Sequence, residues 1–386
     1  MQLFQVVRGT KVSFFKAPAA ALPSPAPPGA RRIAGAAALF RPASDTLRAC
    51  ARRARVALWT AAAALLLQAA TGAPPAFAAA RTAYADGGLF SASGDLRAVD
   101  PLLTIFYNAS TFGETRPCPT CGNGAYGGMA RRIGLFRACR DAGKSCLVLA
   151  GPYEFTADDP LRFGHLAEKV RNAAPPPAAE AVLARKLQAA LRVDAGWISR
   201  SAAAWLNKAA GGVPAGYLEI GEEPRDKIVQ TPAGPVGVVF FPEGPVPGKG
   251  PRPEQARQVL ERGRKLRAQV PLLIGISPWG LVAEKNFLPE AGGIFDCILG
   301  GGEGVGFGFS LAERIPGLIW LRPDGKGRAV NVLELNRMPD GKRPFAWEEG
   351  RTFNARLDFM GENVPADKAA LELIRRQEAG ETRKSR

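Results

Sequence analysis

Histidine is almost missing from this chain of 386 residues: His165 is the only one. An imidazole-rich zinc or di-metal centre is therefore excluded, and a Ser-His-Asp triad would have to use that one ring. An internal repeat and a coiled-coil heptad are also absent. No Lys/Arg run is interleaved with aromatic residues, which argues against nucleic acid as a partner. Cysteine is scarce, with six residues. What remains is 46% hydrophobic and 22% charged, enough to bury a sizeable core and too apolar for a wholly disordered chain.

The N-terminal third has its own character. Residues 52–80 run from Arg52-Arg53-Ala54-Arg55 through a nearly uncharged stretch, Val56 to Ala70, into the small-residue sequence APPAFAAA. That is a basic region, an apolar region and a cleavage site, with Ala76-Phe77-Ala78 the best match and Ala83-Tyr84-Ala85 the second. The apolar run is short for a membrane span and ends before Pro74-Pro75, so we read it as a secretory signal; an uncleaved anchor is the alternative. Residues 1–51, rich in Ala, Pro and Arg, read as a disordered leader or a start codon placed too early. Ten of the 51 basic residues and one of the 35 acidic residues fall within 1–78, so the formal charge of +16 drops to +7 without them. The expected location is periplasmic or secreted, an oxidising place with no stable membrane span left after cleavage. Five cysteines follow the signal, and an odd number leaves at least one thiol free or paired between chains.

From Ala80 onward, strand and helix patterns alternate. Leu102–Tyr107, Cys146–Ala150, Tyr217–Ile220, Lys227–Gln230, Gly237–Phe241, Leu272–Ile276 and Ile294–Leu299 read as strands. Gly127–Ala142, Ala178–Leu191, Ser201–Lys208, Pro253–Gln269, Leu281–Leu288 and Asp367–Gln377 read as helices. Gly300–Gly308 reads as a loop. Leu318–Leu321 and Ala329–Leu335 read as an antiparallel pair around the turn Pro323-Asp324-Gly325. The pattern predicts one α/β domain with mixed sheets over 81–340, and a C-terminal helical extension and tail over 341–386.

Several segments, in order, resemble the metallophosphoesterases of the 5′-nucleotidase and UDP-sugar hydrolase group. They are LLTIFYNASTFGETRPCPTCG at 102–122, YGGMARRIGLF at 126–136, CLVLAGPYEF at 146–155, VDAGWISRSA at 193–202 and FDCILGGGEG at 295–304. The resemblance spans about residues 100–335, and its most specific part is the GGMARR helix followed by a strand ending in Ala-Gly. It implies a four-layer αββα sandwich of the calcineurin-like metallophosphoesterase type. Within that group the chain looks like the UshA-like (seleno)protein branch.

Placed on that pattern, the metal chemistry disappears. The family's first metal Asp and His fall on Ser110 and Phe112, and its bridging Asp falls on Pro152. Its Asn-His pair falls near Arg200-Ser201, and its late histidines fall on Gly302 and Gly304. Two divalent ions need several carboxylates and imidazoles held together, and none of these replacements supplies one. Asn108, Glu154, Asp158, Asp159 and Glu303 lie nearby and could make a weak oxygen site, but they read as solvated loop residues. No cofactor is expected.

Cys118-Pro119-Thr120-Cys121 is the one reactive motif left. A nearby positive charge, here Arg116, or the N-terminus of the following helix would lower a thiol pKa and make Cys118 and Cys121 exchange-competent. A static disulfide staple is the alternative. Cys139 and Cys146, seven residues apart, are a geometrically possible helix-to-strand bridge, and Cys297 reads as a buried core thiol. The glycines at 300–308 lack the Lys-Ser/Thr of a phosphate loop. Three functions follow. The first is a non-hydrolytic pseudoenzyme or binding protein for a small molecule. The second is a thiol redox protein using Cys118 and Cys121 with a redox partner, and the third is a phosphoester hydrolase.

Overall fold

A computed structural model describes residues 100–118, 125–158, 177–244, 250–311, 315–341 and 344–384. The leader, the signal segment, Cys121, Asp159 and His165 lie outside the described residues.

Two six-stranded sheets form the centre. The first has the order β14 (Phe353–Phe359), β13 (Ala329–Leu335), β1 (Leu103–Asn108), β4 (Cys146–Ala150), β5 (Ala195–Ser199) and β6 (Tyr217–Ile220). The second has the order β11 (Phe307–Leu311), β12 (Ile319–Arg322), β10 (Cys297–Gly300), β9 (Leu272–Ser277), β8 (Gly234–Phe240) and β7 (Arg225–Thr231). In the first sheet β1, β4, β5 and β6 are parallel; in the second β12, β10, β9 and β8 are. β2 (Pro117–Cys118) and β3 (Tyr126–Gly127) form a separate short hairpin.

The strands are near-continuous apolar runs because both faces are covered. Leu103, Ile105 and Tyr107 of β1 meet Leu272, Ile274 and Ile276 of β9 in a core between the sheets. The alternate residues Phe106 and Val148 face α1 (Met129–Asp141), α2 (Ala178–Leu191) and α6 (Lys368–Lys384). Val239, Leu273 and Ile298 face α4 (Pro253–Arg267) and α5 (Gly280–Ala291). The result is the four-layer αββα sandwich that the resemblance implied. Two polar pegs tie the sheets together. Trp197 Nε1 donates to the Phe241 carbonyl at 3.0 Å, and the Tyr107 hydroxyl donates to the Gly300 carbonyl at 3.0 Å. A disulfide joins Cys139 at the end of α1 to Cys146 at the start of β4, across 6.5 Å between Cα atoms.

Three expectations need correction. Residues 318–335 are not a hairpin: β12 lies in the second sheet and β13 in the first, so the turn at Pro323-Asp324-Gly325 carries the chain between layers. The glycine stretch continues into an edge strand, β11. The C-terminal stretch supplies a strand as well as a helix, because β14 pairs with β13 along its whole length. Among the described residues no helix is long and apolar enough to cross a membrane.

Candidate functional site

The C-terminal ends of the parallel strands open onto one mouth, where crevices in such sheets form. Past β1 and β4 the two chains stay zipped. Gly151 N–H donates to Asn108 at 2.7 Å, Ser110 N–H to Pro152 and Phe112 N–H to Tyr153 at 2.8 Å, and Gly113 N–H to Glu154 at 3.1 Å. Within this zipper Ser110, Phe112 and Tyr153 adopt left-handed backbone, with φ of 56°, 53° and 65°. Such conformations cost on the order of 1–3 kcal/mol each in non-glycine residues and persist only where the surroundings over-determine them.

The replaced metal positions partly converge here. Ser110 Oγ accepts the Gly302 N–H at 2.9 Å. A Cβ on Gly301 would lie 2.5 Å from Pro152 Cγ, so the late turn approaches to a distance only glycine permits. The Phe112 ring stacks on Tyr153, with centroids 6.2 Å apart, and Tyr153 leans on Trp197. Ser110, Pro152 and Gly302 therefore meet, with Phe112 beside them. Gly304 stands apart, exposed and against Leu281, and Ser201 belongs to a separate polar cluster.

That cluster sits at the start of α3 (Arg200–Ala210). Ser199 caps the helix by accepting the Ala202 N–H, donates to Asp158 Oδ1 at 2.5 Å and lies 2.9 Å from Ser201 Oγ. Burial pushes Asp158 up to about 7; Glu243 adds to the shift and the Ser199 hydrogen bond opposes it. Burial also pushes Glu243 up to about 7, against the pull of Arg200. The Tyr153 hydroxyl donates to the Pro278 carbonyl at 3.3 Å, and desolvation raises it well above its ordinary value, with Glu243 and Asp158 adding to the shift. Beyond Arg200 a cavity of about 870 Å³ opens between the free sheet edges, lined by Glu219, Arg225, Asp226 and Arg262 among others.

The carboxylates read as solvated are not all so. Glu154 is fully buried, accepts from Asn108 at 2.6 Å and pairs with Arg132 of α1 at 3.3 Å. Asp158 is also buried, whereas Glu303 is exposed. Among the described residues no three His, Cys, Asp or Glu side chains form a group able to hold a metal. A serine hydroxyl committed to a backbone N–H, a phenyl ring, a proline ring and glycines do not fit a di-metal centre.

A brace the sequence reading missed holds the late turn. Arg322 Nη2 donates to the carbonyls of Gly301, Gly302 and Glu303 at 3.1, 3.2 and 2.9 Å, and its Nη1 pairs with Glu284. Glu284 in turn accepts from the Gly301 N–H at 3.2 Å and from Trp320 Nε1 at 3.0 Å. The available signal was Glu284 itself, a carboxylate between the apolar segments of α5.

Cys118 is disulfide-bonded and sits in the β2–β3 hairpin. Arg116, expected to acidify it, is instead paired with Glu378 of α6 at 2.7 Å. The hairpin reaches the rim: a Cβ on Gly127 would lie 3.3 Å from the Gly327 carbonyl, and the neighbouring Lys326 N–H donates to the Ser110 carbonyl. Cys297 is a buried free thiol, its pKa raised by burial.

The chain aligns in space with the 5′-nucleotidase precursor of Thermus thermophilus at a TM-score of 0.50 and 14% identity, over 72% of this chain and 59% of that one. It aligns with the Thermus thermophilus sulfate thiohydrolase SoxB at a TM-score of 0.52 and 15% identity, over 74% and 62%. The chain has the metallophosphoesterase fold. This metallophosphoesterase-fold chain spans about three-fifths of the length of those two proteins. No family model and no curated protein matches it in sequence.

Proposed function

We propose that this chain is a secreted, metal-free version of that fold: a pseudo-phosphoesterase that binds a small molecule at the mouth and does not run the di-metal reaction. The observation that carries this is the convergence of Ser110, Pro152 and Gly302, with Phe112 stacked beside them, on the place where the fold would hold its metals. The half-buried Phe112–Tyr153 pair supplies an apolar face, and the cluster around Asp158 supplies polar partners, the mixture typical of small-molecule sites. Thiol redox by Cys118 and Cys121 has less support, since Arg116 is neutralised by Glu378. The test loads the full chain with Mn²⁺ or Zn²⁺ and offers nucleotides and sugar nucleotides. The expected outcome is no metal-stimulated hydrolysis, with a ligand from the panel raising Tm by mass action. Two metals per chain with chelator-sensitive hydrolysis would overturn the reading.

A further inference from the structure

The start of α3 carries more polar machinery than a helix cap requires. Ser199 accepts the Ala202 N–H at 3.0 Å, which satisfies the cap. Its own proton goes to Asp158 Oδ1 at 2.5 Å. A hydroxyl has one proton to donate, so across the 2.9 Å contact Ser201 must be the donor and Ser199 the acceptor. Both hydroxyl protons thus point towards the carboxylate. Ser201 is exposed, while Ser199 and Asp158 are 2% and 8% exposed. Asp158 Oδ2 is buried with no partner among the described residues, which leaves the carboxylate an acceptor position open at a dry site.

We propose that Ser201 is a metal-independent nucleophile for acyl transfer from small carboxylic esters, activated by Asp158 through Ser199. Ser201 Oγ attacks the ester carbonyl carbon, its proton passes to Ser199, and the Ser199 proton passes to Asp158. The carbonyl π pair becomes an oxyanion beside the first-turn N–H groups of α3 that the cap leaves free. Collapse breaks the bond to the alkoxide, which takes the proton from Asp158 through the Ser199 hydroxyl alone, since Ser201 is now acylated, and leaves as alcohol. Water then gives its proton through Ser199 to Asp158 and attacks acyl-Ser201; the acyl–oxygen bond breaks, the Ser201 alkoxide takes that proton back through Ser199, and the carboxylic acid is released. Ester and water give acid and alcohol, with no metal or oxidant.

The electrostatics suit this role. Burial raises the proton affinity of Asp158, Glu243 and Glu154 add to it, and the Ser199 bond and a backbone hydrogen bond at Phe155 oppose it. Arg200 acts on Glu243. A carboxylate titrating near 7 is a stronger base than a solvated one and is still ionised at neutral pH in useful amount. This activity goes beyond ligand binding; of the replaced metal positions it uses Ser201, and it does not involve Ser110, Phe112, Pro152 or Gly302.

The experiment treats the full chain with a fluorophosphonate probe and, separately, with p-nitrophenyl acetate, and maps adducts by peptide mass spectrometry. The expected result is one adduct, on Ser201, forming faster as pH rises through about 7. Ser201→Ala, at an exposed position, abolishes it. Asp158→Asn slows it by about 100-fold or more, the usual contribution of a general base. Because Asp158 is buried, Ser199→Thr and Ser199→Ala form a second pair: threonine keeps the hydroxyl and the labelling, and alanine loses the labelling. No adduct on Ser201, or an adduct whose rate is unchanged in Asp158→Asn and Ser199→Ala, overturns the proposal. The metal and nucleotide assays for the pseudo-phosphoesterase reading are separate, so either can fail alone.

Discussion

Two buried ion pairs underlie the mouth, one beneath each sheet, and they are built differently. Arg322 and Glu284, under the second sheet, are fully engaged. The guanidinium binds the carboxylate, the carbonyls of residues 301–303 and the Val305 carbonyl, and the carboxylate also takes Gly301 N–H and Trp320 Nε1. Arg132 and Glu154, under the first sheet, share one contact at 3.3 Å. Among the described residues Arg132 Nε and Nη2, Glu154 Oε1 and Asn108 Oδ1 have no hydrogen-bond partner, and a Gln188 side chain beside Glu154 offsets part of its burial. A buried pair stabilises only when its remaining polar groups are satisfied, so the Arg322–Glu284 pair is a brace and the Arg132–Glu154 pair is a liability.

The largest expected effect comes from breaking the brace. Arg322→Met leaves Glu284 buried and unpaired and frees three turn carbonyls, so we expect a loss of about 3–5 kcal/mol in urea unfolding. A loss below about 1 kcal/mol would mean the turn holds itself.

Next comes pH, which acts on another unfinished group, Asp158, whose Oδ2 also lacks a partner among the described residues. Its folded pKa of about 7 lies above the ordinary 3.8. Between those values the folded state holds a proton that the unfolded state has lost, so stability falls as pH rises through this window. The contribution is fully present below about pH 4 and lost above about pH 7, and it amounts to roughly 2–4 kcal/mol. Asp158→Asn should flatten that slope; an unchanged slope in the variant would assign it to Glu243, the other raised carboxyl.

The liability can be removed as a unit. Arg132→Met with Glu154→Leu should be neutral or stabilising by about 1–4 kcal/mol. The same double replacement at Arg322 and Glu284 should destabilise, because it orphans the turn. Equal outcomes at the two sites would erase the distinction drawn between them.

The smallest effect concerns the residue that joins the two halves. Ser110→Gly relieves a left-handed backbone, worth about 1–2 kcal/mol, and loses the hydrogen bond to Gly302, worth about 1 kcal/mol. The net change in Tm should be slight. A marked loss would show that the Ser110–Gly302 contact holds the mouth closed.

Much of the layer structure was legible in the sequence. Cys146–Ala150, Ala178–Leu191 and Tyr217–Ile220 occur with the bounds their patterns predict. β14 was not legible, since Arg356 and Asp358 give it the polarity of a loop until the strand is seen pairing at a sheet edge. β12 and β13 were legible as strands, but not as members of different sheets. Strands buried on both faces carry no alternation to say which neighbour they join.

Composition and spacing by themselves determined that histidine-based metal chemistry is closed to this chain, and that its strands are apolar runs needing cover on both faces. Those are properties of residue type and local period. Only the tertiary structure decided that Ser110, Pro152 and Gly302 meet, that Glu284 and Arg322 brace the late turn, and that Asp158 reaches Ser199. These contacts join residues dozens to nearly two hundred positions apart, and their energies depend on burial and on which polar neighbours complete them, quantities that no local pattern encodes.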